Sequence, residues 1–172
     1  MSETSWWENL PEKALNKQDI DNLLPHRGDM SFLSRVFQID EDHVIGEVSL
    51  SDESFWAPGH FPVQPTTEKT VFPIGPIFPG VLMVESAAQL GIVFWRLRQG
   101  IEESGKRTML FKEIEKASFK REARPNDRIL IKCTLDKSSL RLMKCSFEGV
   151  VFKGEDEVHP CFECKITGLS VS

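Results

Sequence analysis

Apolar residues fall on alternate positions in two stretches of the chain, one near the start and one at the end. Val36 and Phe37 open the first; Val44, Gly46, Val48 and Leu50 then alternate with Glu47 and Ser49, as a half-buried strand requires. After residue 128 the period of two returns. Ile129, Ile131, Cys133 and Leu135 make one apolar face, and Met143, Cys145, Phe147 and Val151 make another. Lys153-Gly154-Glu155-Asp156 reads as a hairpin turn, followed by a last strand over about 162–169. Upstream, residues 19–24 carry a short helical pattern that Pro25 ends. Residues 1–18 are polar with a Trp pair and read as an extension packed on the surface. Residues 19–172 show neither an internal repeat nor a flexible linker, so they are expected to form one domain.

The segment between these strand groups is different. From Thr70 to Trp95 the only charged residue is Glu85, and an uncharged run of that length could cross a bilayer. Pro73, Pro76 and Pro79 crowd one half, however, and Glu85 and Gln89 occupy the other, which argues against a membrane span. A helix from Pro79 to about Gln99 fits better. Proline costs nothing at a first turn, Arg96 and Arg98 suit the negative end of the dipole, and Gly100 suits the position beyond it. Such a helix is about 30 Å long. Its apolar residues, from Val81 and Leu82 to Val93 and Trp95, spread round the whole circumference, so it is expected to be enclosed. The implied class is α+β: one long buried helix with an antiparallel sheet around it.

The chain has 172 residues, 21 Lys plus Arg, 26 Asp plus Glu and a net charge of -5. That balance argues against sequence-independent nucleic-acid binding, which needs a surplus of cations. The N-terminal residues lack a basic region followed by an apolar core, so a cytoplasmic location is expected and disulfides are not. Pro160-Cys161-Phe162-Glu163-Cys164 is similar to half of a nucleobase deaminase zinc site. No His here is followed two places later by Glu, and two thiols do not close a zinc site, so no metal or other cofactor is expected.

Two residues stand out as candidate chemistry. A lone carboxylate in an apolar helix loses hydration; Glu85 is therefore either satisfied locally, by Gln89 one turn on, or functional. His60, in Trp56-Ala57-Pro58-Gly59-His60-Phe61-Pro62, is either a surface-loop residue or an imidazole whose aromatic and proline neighbours fix one tautomer, which suits a general base. His26 and His43 lack comparable surroundings, and His43 is expected to be solvated.

Leu24-Pro25-His26-Arg27, then Gly59-His60-Phe61-Pro62, then Pro79-Gly80-Val81-Leu82-Met83-Val84-Glu85-Ser86-Ala87-Ala88-Gln89 resembles, in order, the signature of the 3-hydroxyacyl-[acyl-carrier-protein] dehydratases of the FabZ/FabA type. Phe119-Lys120-Arg121 followed by Pro125-Asn126-Asp127 is similar to the same family's Phe-Lys-Arg…Pro-Gly-Asp stretch. The resemblance runs from about Asp19 to Leu169. It implies a hotdog fold, a homodimer or larger homo-oligomer whose sheets join edge to edge, and sites shared between two subunits.

Carried over by position, the resemblance makes His60 the base that takes the C2 proton of a 3-hydroxyacyl thioester and Glu85 the group that protonates or positions the departing hydroxyl. The Gly80 N–H would bond the thioester carbonyl. Phe61, Phe78 and Phe94 are expected to line the acyl tunnel and Gln89 to help bind substrate. Lys116, Lys120, Arg121 and Arg124 form the densest basic patch for an acidic acyl carrier protein. Glu at the acid position is similar to FabZ rather than FabA. The chain departs from the family at three places: an inserted loop at about 65–75, Gly28-Asp29-Met30 in place of an aromatic-proline pair, and Phe111 where a Tyr gate often stands. A hotdog thioesterase and a non-catalytic acyl-binding subunit are the competing functions.

Overall fold

A computed structural model of the chain describes residues 5–62, 75–100, 107–139, 141–154 and 157–171. Apart from Gly75, the expected 65–75 insertion lies outside the described residues. Helix α1 spans Lys17–Leu23, and strands β1 and β2 span Arg35–Gln38 and His43–Ser49. The long helix α2 spans Gly80–Gln99 and is followed by β3 (Thr108–Phe119), β4 (Arg128–Ser138), β5 (Leu142–Lys153) and β6 (Glu157–Val171). Among the described residues these six strands form one antiparallel sheet in the order β1-β2-β4-β5-β6-β3.

Helix α1 begins where Asn16 caps the N–H groups of Gln18 and Asp19 while Asp19 reaches back to the Asn16 N–H, a reciprocal cap that satisfies donors the first turn leaves open. Proline at position 79 caps α2, and Gly100 follows its end with a φ of 80°. The alternating residues of the strands face α2: Val44 and Val48 from β2, Ile129, Ile131 and Cys133 from β4, and Cys145, Phe147 and Val151 from β5 are all in the main core. A Cβ at Gly46 would meet Leu90 Cδ1 at 2.9 Å and Leu33 Cδ2 at 3.0 Å, so its missing side chain is what lets α2 lie so close to β2.

By length and composition α2 could cross a membrane, but 67% of its most apolar window is buried inside the protein. It is not enclosed all round, as the sequence pattern had implied. Val81 is 72% exposed and Leu82 and Glu85 are half-buried, because among the described residues nothing covers the face that the first turns present. Edge strand β3 is exposed along most of its length and carries Leu110, Phe111, Ile114 and Phe119 in contact with solvent.

The outer face of the sheet has its own smaller cluster. Phe37, Ile45, Leu130 and Val150 are covered by Trp6, Trp7, Leu10 and Ala14 of the N-terminal segment. Beside it, Arg35 grips Glu47 through Nε at 3.0 Å and an NH2 group at 2.6 Å, and Arg128 adds a contact at 3.2 Å.

Candidate functional site

His60 ends a compact turn in which its own N–H, like that of Gly59, donates to the Trp56 carbonyl. Its ring Nδ1 lies 2.7 Å from the Ile77 carbonyl, and its backbone carbonyl accepts the Ile77 N–H at 3.3 Å. A carbonyl only accepts, so Nδ1 holds the ring hydrogen and Nε2 is left with its lone pair. The tautomer expected of a general base is thus the one this local geometry selects. Phe61 follows at a φ of 57°, a conformation that non-glycine residues rarely adopt, and its ring packs edge-on against the imidazole at 4.8 Å.

Ile77 is three residues ahead of Gly80, so the strut that holds His60 also holds it near the N-terminus of α2. The first N–H groups there lack partners within the helix and carry the positive end of its dipole. Gly80, Phe78 and Val81 line a cleft of about 500 Å³ together with Phe119, Lys120 and Arg121. The Phe119 ring packs so close to Gly80 that a Cβ there would stand only 3.0 Å from its Cε1.

Glu85 faces another cleft, of about 190 Å³, lined by Pro25, His26, Ile92 and Thr108 to Phe111. Its carboxylate is half-buried rather than isolated. Gln89 Nε2 donates to Oε1 at 2.9 Å, and His26 Nε2 lies 3.2 Å from the same oxygen. Gln89 is wholly buried. Its Oε1 accepts the Phe32 N–H at 3.1 Å and its Nε2 also donates to the Met30 carbonyl at 2.8 Å, so its amide is consumed in holding Glu85 and offers nothing to a substrate. His26 belongs to the Leu-Pro-His-Arg motif, but its immediate neighbours do not mark it as a site residue, and its contact with Glu85 spans 59 residues of chain. His43, by contrast, is half-exposed, and its ring is held by Asp40 of its own turn.

Ile92, Met109 and Phe111 also line a narrow apolar pocket of about 20 Å³ with Ala88, Gly91, Met143, Cys145, Phe147, Ile166 and Gly168. The Glu85 cleft therefore leads toward the core between α2 and the sheet. Phe78 and Phe94 are both buried in the core; Phe78 packs against Trp56 and Phe32 and lines the Gly80 cleft, whereas Phe94 lines none of these clefts. His60 and Glu85 form no ion pair with each other within the chain; each is committed to the partners just named.

In the basic patch, Lys116 and Lys120 both bind Glu163, at 2.9 and 2.8 Å, and these bonds hold its carboxyl down at about 2. Arg124 lies 3.8 Å from Glu122, and Arg121 is exposed. Much of the patch's charge is thus already balanced. Burial pushes the thiols of Cys161 and Cys164 up to about 12.

A model of the FabA-like domain matches residues 24–160. A 3-hydroxyacyl-[acyl-carrier-protein] dehydratase FabZ from Caldanaerobacter subterraneus is 30% identical over 144 residues, covering 83% of this chain and 90% of that protein. The bifunctional enzyme LpxC/FabZ of Porphyromonas gingivalis is 28% identical; the match covers 84% of this chain but spans only 28% of that longer protein. Among solved structures, a chain of the dehydratase heterocomplex ApeI:P from Xenorhabdus doucetiae superposes with a TM-score of 0.61 at 17% identity, over 87% of this chain and 90% of that one. A sheet wrapped round one long helix is the hotdog arrangement.

Proposed function

Since the chain belongs to the FabA-like family, we propose that it removes water from 3-hydroxyacyl thioesters on acyl carrier protein, giving trans-2-enoyl thioesters in fatty acid or related lipid or polyketide synthesis. The observation that carries this reading is the His60 ring, whose Nδ1 is tied to the Ile77 carbonyl so that Nε2 is free to accept a proton. A base beside C2 serves an elimination and has little use in thioester hydrolysis.

In the proposed reaction His60 Nε2 takes the C2 proton while the thioester carbonyl oxygen, gaining enolate charge, is stabilised by the Gly80 N–H at the positive end of α2. Glu85 then gives a proton to the 3-hydroxyl, the C3–O bond breaks, water leaves and the C2–C3 double bond forms. The proton on His60 returns to Glu85 through solvent to complete the cycle. Phe61 and Phe78 flank the reacting end, and the acyl chain runs from the Glu85 cleft past Ile92 and Met109.

His60 and Glu85 are held separately in one chain, and among the described residues β3 has one edge without a partner strand and a row of exposed apolar residues. Pairing of two β3 edges in a homodimer would cover those residues and bring His60 of one subunit to Glu85 of the other. The protein is read as cytoplasmic and as docking its carrier through Lys116, Lys120, Arg121 and Arg124. Both Lys120 and Arg121 line the cleft at Gly80.

His60→Ala and Glu85→Gln are each expected to lower turnover by about a hundredfold or more with the fold intact. Mixing the two inactive variants under conditions of subunit exchange should restore up to about a quarter of the sites, since half of the dimers are mixed and each carries one intact site. Full activity in either variant would overturn the assignment. No recovery despite proven exchange would place both groups of a site in one subunit.

A further inference from the structure

The hydrogen-bond chain behind Glu85 has a direction. The Phe32 N–H can only donate, so the Gln89 oxygen must face it, and the Met30 carbonyl can only accept, so the Gln89 nitrogen must face that. The amide therefore cannot flip, and what it presents to Glu85 Oε1 is a hydrogen. Oε1 is thereby an acceptor in either protonation state of the carboxyl. While Glu85 is ionised, His26 Nε2, 3.2 Å from that same oxygen, faces only lone pairs and must carry a hydrogen to be there. The other nitrogen, His26 Nδ1, is buried without a partner among the described residues. A bare lone pair is tolerated in such a place far better than an unmade N–H, so both ends of the ring favour hydrogen on Nε2.

We propose that His26 is a positioning residue: with Gln89 it occupies Glu85 Oε1 from two sides, so that the acidic proton can reside only on Oε2, the oxygen left for the departing hydroxyl. The inference rests on the dehydration reading for its consequence, but not for its geometry. The two histidines then hold opposite tautomers. His60 keeps hydrogen on Nδ1 and bares Nε2 to take a proton, while His26 keeps it on Nε2 and directs a proton elsewhere.

Two measurements test this. In protein labelled with 15N-histidine, the His26 ring is expected to show hydrogen on Nε2 near neutral pH; an Nδ1–H ring with bare Nε2 would overturn the proposal whether or not the protein is a dehydratase. For the kinetics, His26→Met keeps the length of the side chain and removes the donor, and His26→Gln keeps an N–H near the Nε2 position. His26→Met should lower kcat about tenfold, the scale of one hydrogen bond to a charged group, with KM within about twofold of wild type. His26→Gln should recover most of the loss. A folded His26→Met variant with wild-type kcat, or His26→Gln no better than His26→Met, would reject the positioning role. Absence of enoyl product from wild-type protein would instead reject the dehydration reading, leaving the tautomer measurement to decide on His26.

Discussion

Met109 is the residue on which the length of the acyl chain should depend. It is buried at the start of β3, and it lines both the Glu85 cleft and the narrow apolar pocket beyond it. Its sulfur occupies space that exists because residue 168 is glycine: a Cβ there would stand 2.5 Å from Sδ. With Met109 in place the inner pocket, at about 20 Å³, has room for little more than one water-sized group. Met109→Ala removes three heavy atoms and opens space for roughly three methylenes, each worth about 0.8 kcal/mol on burial. Preference for a correspondingly longer substrate should then rise by up to about 2.4 kcal/mol, or roughly sixtyfold in kcat/KM. The same deletion should cost about 2–5 kcal/mol of stability, so thermal unfolding must be followed in parallel. The assay is kcat/KM across 3-hydroxyacyl thioesters of increasing chain length. An unchanged profile in a folded variant would refute the idea that the chain passes Met109.

Two further perturbations probe the electrostatics. Desolvation alone would raise the Glu47 carboxyl, but hydrogen bonds from Arg35 and Arg128, with their charges, together hold it below the ordinary carboxylate range. A depressed value stabilises the fold above the unfolded-state pKa and loses that effect as pH falls through the folded value. Glu47→Gln should therefore cost about 1–3 kcal/mol near neutral pH, less than a fully buried pair because both arginines are partly exposed; as pH falls below the ordinary carboxylate range the gap to wild type should narrow, and a constant gap in denaturant titrations would contradict this. For carrier docking, Arg121→Glu should raise KM for a carrier-bound substrate but not for a short thioester analogue, while Glu163→Gln, by releasing Lys116 and Lys120, should lower the former. Equal effects on both substrates would make the patch structural.

Strands β2, β4 and β5 were legible in the sequence because one face of each meets α2, so burial imposed the alternation that Val44, Ile129 and Cys145 belong to. Strand β3 was not, since an edge strand exposed on both sides has no such constraint, and the run from Lys112 to Lys116 reads as a solvated charged segment. The Trp pair was legible as part of an extension packed on the surface, but the second apolar cluster that Trp6 and Trp7 cover on the sheet's far side was not, because the outward residues Phe37, Ile45 and Leu130 interleave with the inward ones. In the site, His60 and Glu85 were visible from their own neighbourhoods. His26 depends on the loop after α1 being brought to α2, and Met109 on the register of β3 with β6, which are matters of tertiary packing. Phe94 illustrates the converse: an aromatic on the right helix, yet turned wholly into the core.

The most direct test of dehydration is to incubate the protein with a 3-hydroxyacyl thioester on acyl carrier protein and follow both the ultraviolet absorbance of an enoyl thioester and the release of free thiol. The account predicts enoyl product without thiol, abolished by His60→Ala. Thiol release without enoyl product would identify a thioesterase, and binding with neither product a non-catalytic subunit; either result would contradict it.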